Sequence, residues 1–344
     1  MNTESIFALL KTLTEIPGPV GRELLVQKYM EKTLQSFAST VSYDGVGNLV
    51  AHIPGDGKKT VIAAHACEIG FMVKSISEHG LIHIIPNYKT RAPDTRILPF
   101  HAVTILTDTY QSVKGVLTID TGHVVESGTK DSVPALQDIT VDIGASSKSE
   151  VEELNIYTGC PVIWDEVTRK LRSHVVGKAM DDRLGLVTLL AIAEEMTDTP
   201  LHRDLYLAST VQEEIGVRGA HALASHQKVD EAYILEIIPT CRNAAQLRLG
   251  EGPAIVYKDS SLHYTHRLIM KCQNTASNHD LPLQSAILER GITDGLGFFV
   301  NAAAQTVLLG CPTLYPHSPG EMLHLSDLQQ LIELLLFILR DEKS

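Results

Sequence analysis

Positive charge is scarce in this chain: 29 Lys and Arg stand against 41 Asp and Glu, a formal net charge of −12. That balance repels phosphate backbones and anionic lipid, so neither nucleic acid nor a membrane surface is expected as the main partner. No apolar run approaches the roughly 20 residues needed to cross a bilayer. The N-terminal M-N-T-E-S-I-F also lacks the basic start and cleavage site of a secretion signal, and a cytoplasmic location is the expectation. The five cysteines, Cys67, Cys160, Cys241, Cys272 and Cys311, are odd in number and contain no C-x-x-C pair. Neither a disulfide framework nor a structural zinc knuckle is indicated. Internal repeats and low-complexity linkers are lacking too. What is present is an ordinary globular composition, 344 residues with 44% hydrophobic and 20% charged, enough for one large domain or two moderate ones.

Helical spacing of apolar positions runs through residues 4–16 and 20–36, interrupted by the turn I-P-G-P-V. A strand near 40–53 and another at 60–65 follow. From about 70 to 164 the character changes to short alternating strands, L-I-H-I-I-P, A-V-T-I-L-T, S-V-K-G-V-L-T and D-I-T-V-D-I, the pattern of a small barrel. Beyond Asp181 helix and strand alternate again: a helix over 183–196, a strand over 204–211, a helix near 218–226, a strand over 232–237, a helix over 280–290 and a strongly apolar closing helix. The expected fold class is α/β, with a mixed-sheet α/β/α catalytic domain built from residues 1–69 plus 165–344. A small β-barrel domain, residues 70–164, is inserted in its middle.

Five short segments end in groups able to bind a hard divalent cation: His65, the pair Asp181 and Asp182, the pair Glu213 and Glu214, Glu236, and His317. Three of them follow runs that read as buried strands, T-V-I-A-A, L-Y-L-A-S-T-V and A-Y-I-L. Groups at the C-terminal ends of strands converge at one edge of a sheet, where open α/β folds place their sites. Imidazole and carboxylate suit zinc, cobalt or manganese, and a water held between two such ions is acidic enough to attack a carbonyl at neutral pH. Metal-assisted hydrolysis is the predicted chemistry. Each group also has an ordinary alternative: a histidine after a strand can be a satisfied interior residue, and an acidic pair can cap the next helix. Capping does not explain why such groups follow apolar strands at the same sheet edge.

The motifs H-x-x-E-I-G-F-M-V, D-D-R-x-G, E-E-x-G-x-R-G-A, G-I-T-D-G and H-S-P-x-E-M occur here in one order. In order and spacing the chain resembles the co-catalytic dinuclear metallo-aminopeptidases that include the glutamyl, deblocking and tetrahedral aminopeptidases. The resemblance covers nearly the whole chain, including D-G-V-G-N-L before the first metal strand and D-I-T-V-D-I-G-A-S-S-K at the end of the insert. It implies a phosphorylase/hydrolase-like catalytic domain that removes N-terminal residues from peptides with two divalent ions per chain, zinc or cobalt before manganese. Asp181 would bridge the ions, His65 and Glu236 would complete one shell, Glu214 and His317 the other, and Glu213 would be the general base. Asp182 and Arg183 would support these groups, with an Asp-Asp peptide that is often cis in the family. Dimers assembling to a dodecamer are implied, with parts of the barrel at interfaces or at the substrate entrance, and the closing helix either at an interface or an ordinary core helix.

Two residues depart from the family pattern. Its first site normally reads His-x-Asp, the Asp orienting the imidazole; here that position is Cys67. Losing such a carboxylate typically costs about 10–100-fold in metal affinity or activity. Glu236 stands where Asp is common, which keeps the charge and lengthens the arm by one methylene. In the insert, I-I-P-N-Y-K-T-R-A-P-D replaces a Gly-Gly turn. A deacylase or carboxypeptidase-like amidohydrolase on the same scaffold, or a weakly active relative because of Cys67, are the alternative functions.

Overall fold

The structure is a computed structural model that describes residues 1–89, 93–109, 111–125, 128, 131–197, 201–243 and 246–341. It divides into two compact units, Met1–Glu68 with Val167–Ser344, and Ile69–Glu166.

Strands are numbered along the chain. The first unit opens with β1 (Thr40–Tyr43), β2 (Leu49–Ile53) and β3 (Lys58–His65). The second unit holds β4 (Phe71–Ile76), β5 (Ile82–Pro86), β6 (Ala102–Leu106), β7 (Ser112–Thr118), β8 (Thr140–Asp142) and β9 (Pro161–Trp164). The first unit resumes with β10 (Arg169–Leu171), β11 (His174–Gly177), β12 (Arg203–Thr210), β13 (Glu231–Thr240), β14 (Ala254–Val256), β15 (Gln284–Ala286), β16 (Gln305–Leu314) and β17 (Glu321–His324).

The sheet of the first unit runs β1-β2-β12-β3-β13-β16-β17-β11-β10, with β14 on β16 and β15 on β14. β12, β3, β13 and β16 are mutually parallel, and the pairs beyond them are antiparallel except β14 with β15, which is parallel. The parallel strands read as continuous apolar runs because helices cover both faces. The helix Met180–Met196 is buried along almost its whole length, and Thr3–Glu15 and Leu325–Arg340 pack against it. The closing helix sends Leu328, Leu331, Ile332, Leu335, Ile338 and Leu339 into the same core, as the core-helix alternative expects.

Two of the expected elements differ. The single strand over 40–53 is a hairpin: Asp44 Oδ1 accepts from the backbone N–H of Val46, Gly47 and Asn48 at 3.0 Å each, and Gly47 takes φ +103°. Only glycine adopts that angle without strain. The helix expected over 280–290 is absent. Instead a helix runs from His266 to Asn278, burying Leu268, Ile269, Cys272, Thr275 and Ala276, and residues 284–286 form β15. Asp280 sits at φ +53° and Pro282 follows, so the chain turns out of the helix exactly two residues before a ring that cannot donate to one.

In the second unit the strands close into a barrel in the order β4-β5-β8-β7-β6-β9. Phe71, Val73, Ile82, Val103, Ile105, Leu117, Val141 and Val162 fill it, one residue in two along each strand. A short helix, Lys148–Glu153, was not foreseen; Ser147 caps it by accepting from the Glu150 N–H. Of the insert's unusual turn, residues 90–92 lie outside the described residues.

Candidate metal centre

Five segments of the first unit deliver side chains to one edge of its sheet. His65 is the last residue of β3 and pairs with Thr210, the last of β12. Glu213 and Glu214 form the helical turn that follows β12. Glu236 lies within β13, which runs four residues beyond it to Thr240. Its neighbour across the ladder is Gly310, where a Cβ would come within 1.8 Å of the Glu236 carbonyl oxygen, so the strands meet there only because the residue is glycine. His317 is in the loop after β16. Asp181 and Asp182 precede the regular part of the helix Met180–Met196, have non-helical dihedral angles and are joined by a cis peptide bond.

Asp181 is at the centre. Its Oδ1 lies 2.8 Å from His65 Nε2 and its Oδ2 lies 3.2 Å from His317 Nε2, so its two oxygens face different histidines. On the first side Glu236 Oε2 is 3.6 Å from His65 Nε2, and on the second Glu214 Oε1 is 3.5 Å from His317 Nε2. Ligand atoms of His65, Asp181 and Glu214 all fall within 4.8 Å of one another. Glu214 Oε1 is buried with no hydrogen-bond partner. Asp182 points elsewhere: its oxygens accept from the backbone N–H of His65 at 3.3 Å and of Gly185 at 3.1 Å.

The outer nitrogen of His65 is held by residue 67. Nδ1 lies 3.1 Å from the Cys67 carbonyl oxygen and 3.4 Å from the Cys67 sulfur. Burial pushes that thiol up to about 12, so it is a neutral weak partner at physiological pH and the carbonyl is the stronger acceptor.

Three acids of the motifs, Glu321, Asp294 and Glu68, and a fourth outside them, Glu23, lie near these groups. Glu321 accepts from the backbone N–H of His317 at 2.8 Å and of Asp181 at 3.2 Å, tying two segments together. Asp294, in G-I-T-D-G, accepts from the Thr210 hydroxyl. Glu68, three residues after His65, accepts from Lys178 at 2.6 Å and from Gly18 N at 2.8 Å. Glu23 accepts from the Gln212 N–H at 3.0 Å, just ahead of the Glu213 pair. Arg183 is fully buried and donates to the carbonyls of Leu13, Ala66 and Ile16, which ties the residue after His65 to the end of the helix Thr3–Glu15. For Glu68 and Glu321, a place in the same motif as His65 and His317 was the available signal.

Electrostatically the edge is lopsided. Asp181, Asp182, Glu213, Glu214, Glu236, Asp294 and Glu321 crowd round two histidines, and no Lys or Arg pairs with any of them among the described residues. Burial drives Glu213 well above the ordinary carboxylate range, with Glu214, Asp294 and Asp181 adding to it and His65 opposing. Burial and Asp181 raise Glu236 in the same way, and burial takes Glu321 up to about 8. For Asp181 burial also works upward, but hydrogen bonds from His317 and His65 outweigh it and hold the carboxyl below its usual value. Burial lowers His317, yet Glu214 and Asp181 bring it up to about 10. Buried acids in this number need cations, and a divalent ion is the compact way to supply them.

The chain is similar to known proteins along nearly its whole length. An FrvX protein of Escherichia coli (strain K12), named a putative aminopeptidase, is 29% identical over 343 residues, covering 95% of this chain and 93% of that protein. Among solved structures, a TET aminopeptidase from a marine sediment Thaumarchaeota archaeon superposes with a TM-score of 0.92 at 28% identity, covering 98% of this chain and 97% of that one. The TET1 peptidase of Pyrococcus horikoshii, which can assemble into a tetrahedron or a large octahedral shell, does so with a TM-score of 0.89 at 28% identity, covering 97% and 99%. Residues 47–334 match the profile of the M42 glutamyl aminopeptidases, and the chain belongs to that family of aminopeptidase hydrolases.

Proposed function

We propose that this aminopeptidase carries two divalent ions per chain, one between His65 and Glu236, the other between Glu214 and His317, with Asp181 shared. The observation that carries this is the split of Asp181, one oxygen toward each histidine, each histidine with its own second carboxylate. The donor set fits: all are nitrogen or oxygen, which suits zinc, cobalt or manganese, and the buried Glu214 oxygen accepts no hydrogen bond, although it lies 3.5 Å from His317 Nε2. When bound, such ions acidify a water and polarise the scissile carbonyl.

The protein's own groups do the rest. Glu213, buried beside this cluster, takes the proton of the attacking water and passes it to the departing amine. The Cys67 carbonyl keeps the proton of His65 on Nδ1, leaving Nε2 free to donate its lone pair. Asp182 and Glu321 hold the backbone of His65, Asp181 and His317 in register. Metal analysis of the purified protein tests the assignment: two ions per chain at saturation are expected, and one or none would overturn it. A panel of amino-acyl and acyl-amino-acid amides separates aminopeptidase from deacylase action.

We propose also that the chain forms a closed homo-oligomer to which the barrel contributes, as its relatives' assemblies suggest, with peptides as substrates. Light scattering of the purified protein tests this; a monomer at micromolar concentration would refute it. Among the described residues no helix is long and apolar enough to cross a membrane. A cytoplasmic location is proposed, and fractionation of cells checks it.

A further inference from the structure

Apart from the metal edge, the first unit holds a cavity of about 480 Å³ beside β1, the strand at one end of the sheet. Thr40, His52 and Tyr206 are directly opposite one another on β1, β2 and β12, so all three stand on one face and form its floor, with Ser42 two residues further along β1. The helix Arg218–His226 supplies the facing wall through Leu223 and His226.

Two rings of the floor are locked in place. His52 and Tyr206 stack with centroids 4.6 Å apart and planes 12° from parallel, and one carboxylate holds both: Asp204 Oδ1 lies 2.6 Å from His52 Nε2, and Oδ2 accepts from the Tyr206 hydroxyl at 2.8 Å. The Thr40 and Ser42 hydroxyls and His52 Nδ1 have no hydrogen-bond partner among the described residues. Open polar groups on a fixed aromatic floor suit a small polar ligand.

Charge decides which ligand. Asp44 lines the cavity, Asp204 holds its two rings, and among the described residues no Lys or Arg lines it. Burial works upward on Asp204, but hydrogen bonds from His52 and Tyr206 outweigh it and hold the carboxyl below its usual value. Anions are repelled. A metal ion would lack its ligands, since the one group of three donors close enough to share an ion, among the described residues, is at the metal edge. Aromatic faces with a carboxylate beside them suit an organic cation, above all a flat guanidinium that stacks and donates hydrogen bonds at once.

One wall is tied to the segment of the catalytic base. Asp44 Oδ2 accepts from Asn48 Nδ2 at 2.6 Å, and Asn48 in turn accepts from the Val211 N–H and donates to the Gly219 carbonyl, both at 2.9 Å. Val211 and Gly219 flank the Glu213–Glu214 turn. A Cβ on Gly219 would meet Asn48 Oδ1 at 2.4 Å, so this grip requires glycine. His226, at the end of the helix that leaves the same turn, lies 3.9 Å from Asp44 Oδ2. A ligand that touches Asp44 and His226 therefore bears on both sides of the segment carrying Glu213.

We propose that this cavity is an effector site for an organic cation of the guanidinium class, and that its occupancy is felt at Glu213 through Asp44 and Asn48. The second half rests on the reading of Glu213 as the base; the first does not.

The test titrates n-butylguanidinium and n-butylurea, which match in shape and differ in charge, into the metal-loaded enzyme by calorimetry at fixed ionic strength. One saturable site per chain is expected, with the guanidinium bound about tenfold tighter or more. Ser42→Trp, which fills the space over β1, and Thr40→Lys, which sets a fixed cation there, should each weaken binding by about tenfold or more. Both positions are exposed on an edge strand, and either variant decides the matter if the other fails to fold. No binding, equal affinity for the two probes, or binding that survives both substitutions would overturn the site. Turnover of the fastest substrate in the amino-acyl amide panel reads the coupling: saturation with n-butylguanidinium should change kcat by about fivefold, the low end of coupling between sites, in wild type and not in Thr40→Lys. An unchanged kcat at saturation would overturn the link to Glu213. Calorimetry needs no turnover, so a failure of the Glu213 reading leaves the binding result standing.

Discussion

Glu231 and Glu236 lie on one strand, five residues apart, and meet opposite electrostatic fates. Glu231, at the start of β13, accepts from Lys58 at 3.1 Å, Arg203 at 2.8 Å and Arg267. Burial works to raise it, but these cations bring its carboxyl down to about 2. Glu236, at the other end of the sheet, has acids for neighbours and burial drives it well up. The first cluster is completed by the protein's own cations and needs nothing more. The second is incomplete in protein atoms alone. A buried acid neutralised by Arg and Lys belongs to the scaffold; a group of buried acids with only histidines beside it belongs to a site that a cation finishes.

The largest expected effect separates the base from the ligands. Glu213→Gln should lower kcat by about 10²–10⁴-fold, the usual span of general base catalysis, with both ions retained. Glu214→Gln should lose an ion. Turnover and metal content measured together check both, and equal metal loss in the two variants would show the pair to be assigned the wrong way round.

At the opposite end, Glu231→Gln should leave kcat/KM unchanged and destabilise the fold by roughly 3–5 kcal/mol, because buried Arg203 loses the carboxylate charge beside it. The pH dependence follows from the sign of the shift. The folded pKa lies below the unfolded value of 4.5, so Glu231 contributes stability above pH 4.5 that is lost as pH falls toward about 2. Denaturant titration between pH 2 and 7 should show a shallower acid limb in the variant.

Chelation should affect only the metal edge. At about 100 times its dissociation constant each ion stabilises the folded state by about 2.7 kcal/mol, and removing it should lower the melting temperature accordingly. Hydrogen exchange should rise around His65, Glu214 and His317 and stay unchanged around Arg203 and Glu231. Faster exchange at both ends would mean that the two clusters are not independent.

The smallest effect concerns Cys67. Cys67→Asp would offer a carboxylate to His65 Nδ1, where the sulfur now sits at 3.4 Å, and should tighten the ion held by His65 and Glu236 by about tenfold. The gain in activity should appear mainly at low metal concentration. No change at any concentration would mean that the Cys67 carbonyl alone orients the ring.

The strand ends that carry His65 and Glu213 were legible because parallel strands covered on both faces are uniformly apolar, and a charged residue at their end is conspicuous. The barrel strands showed a period of two. The hairpin over 40–53 was hidden because its turn depends on Asp44 capturing three backbone N–H groups, which the apolar pattern does not register. The expected helix over 280–290 followed apolar residues that β15 and its flanks bury in another geometry.

Local pattern alone determined that this chain alternates helix and strand around an inserted barrel, and which residue types could bind a metal, since both follow from periodicity and donor chemistry. Only the tertiary structure decided that Asp181 turns one oxygen to each histidine, and that Glu321 ties the backbones of Asp181 and His317 together. Those facts depend on distances between segments as many as 140 residues apart, which packing of the sheet sets and no local sequence encodes.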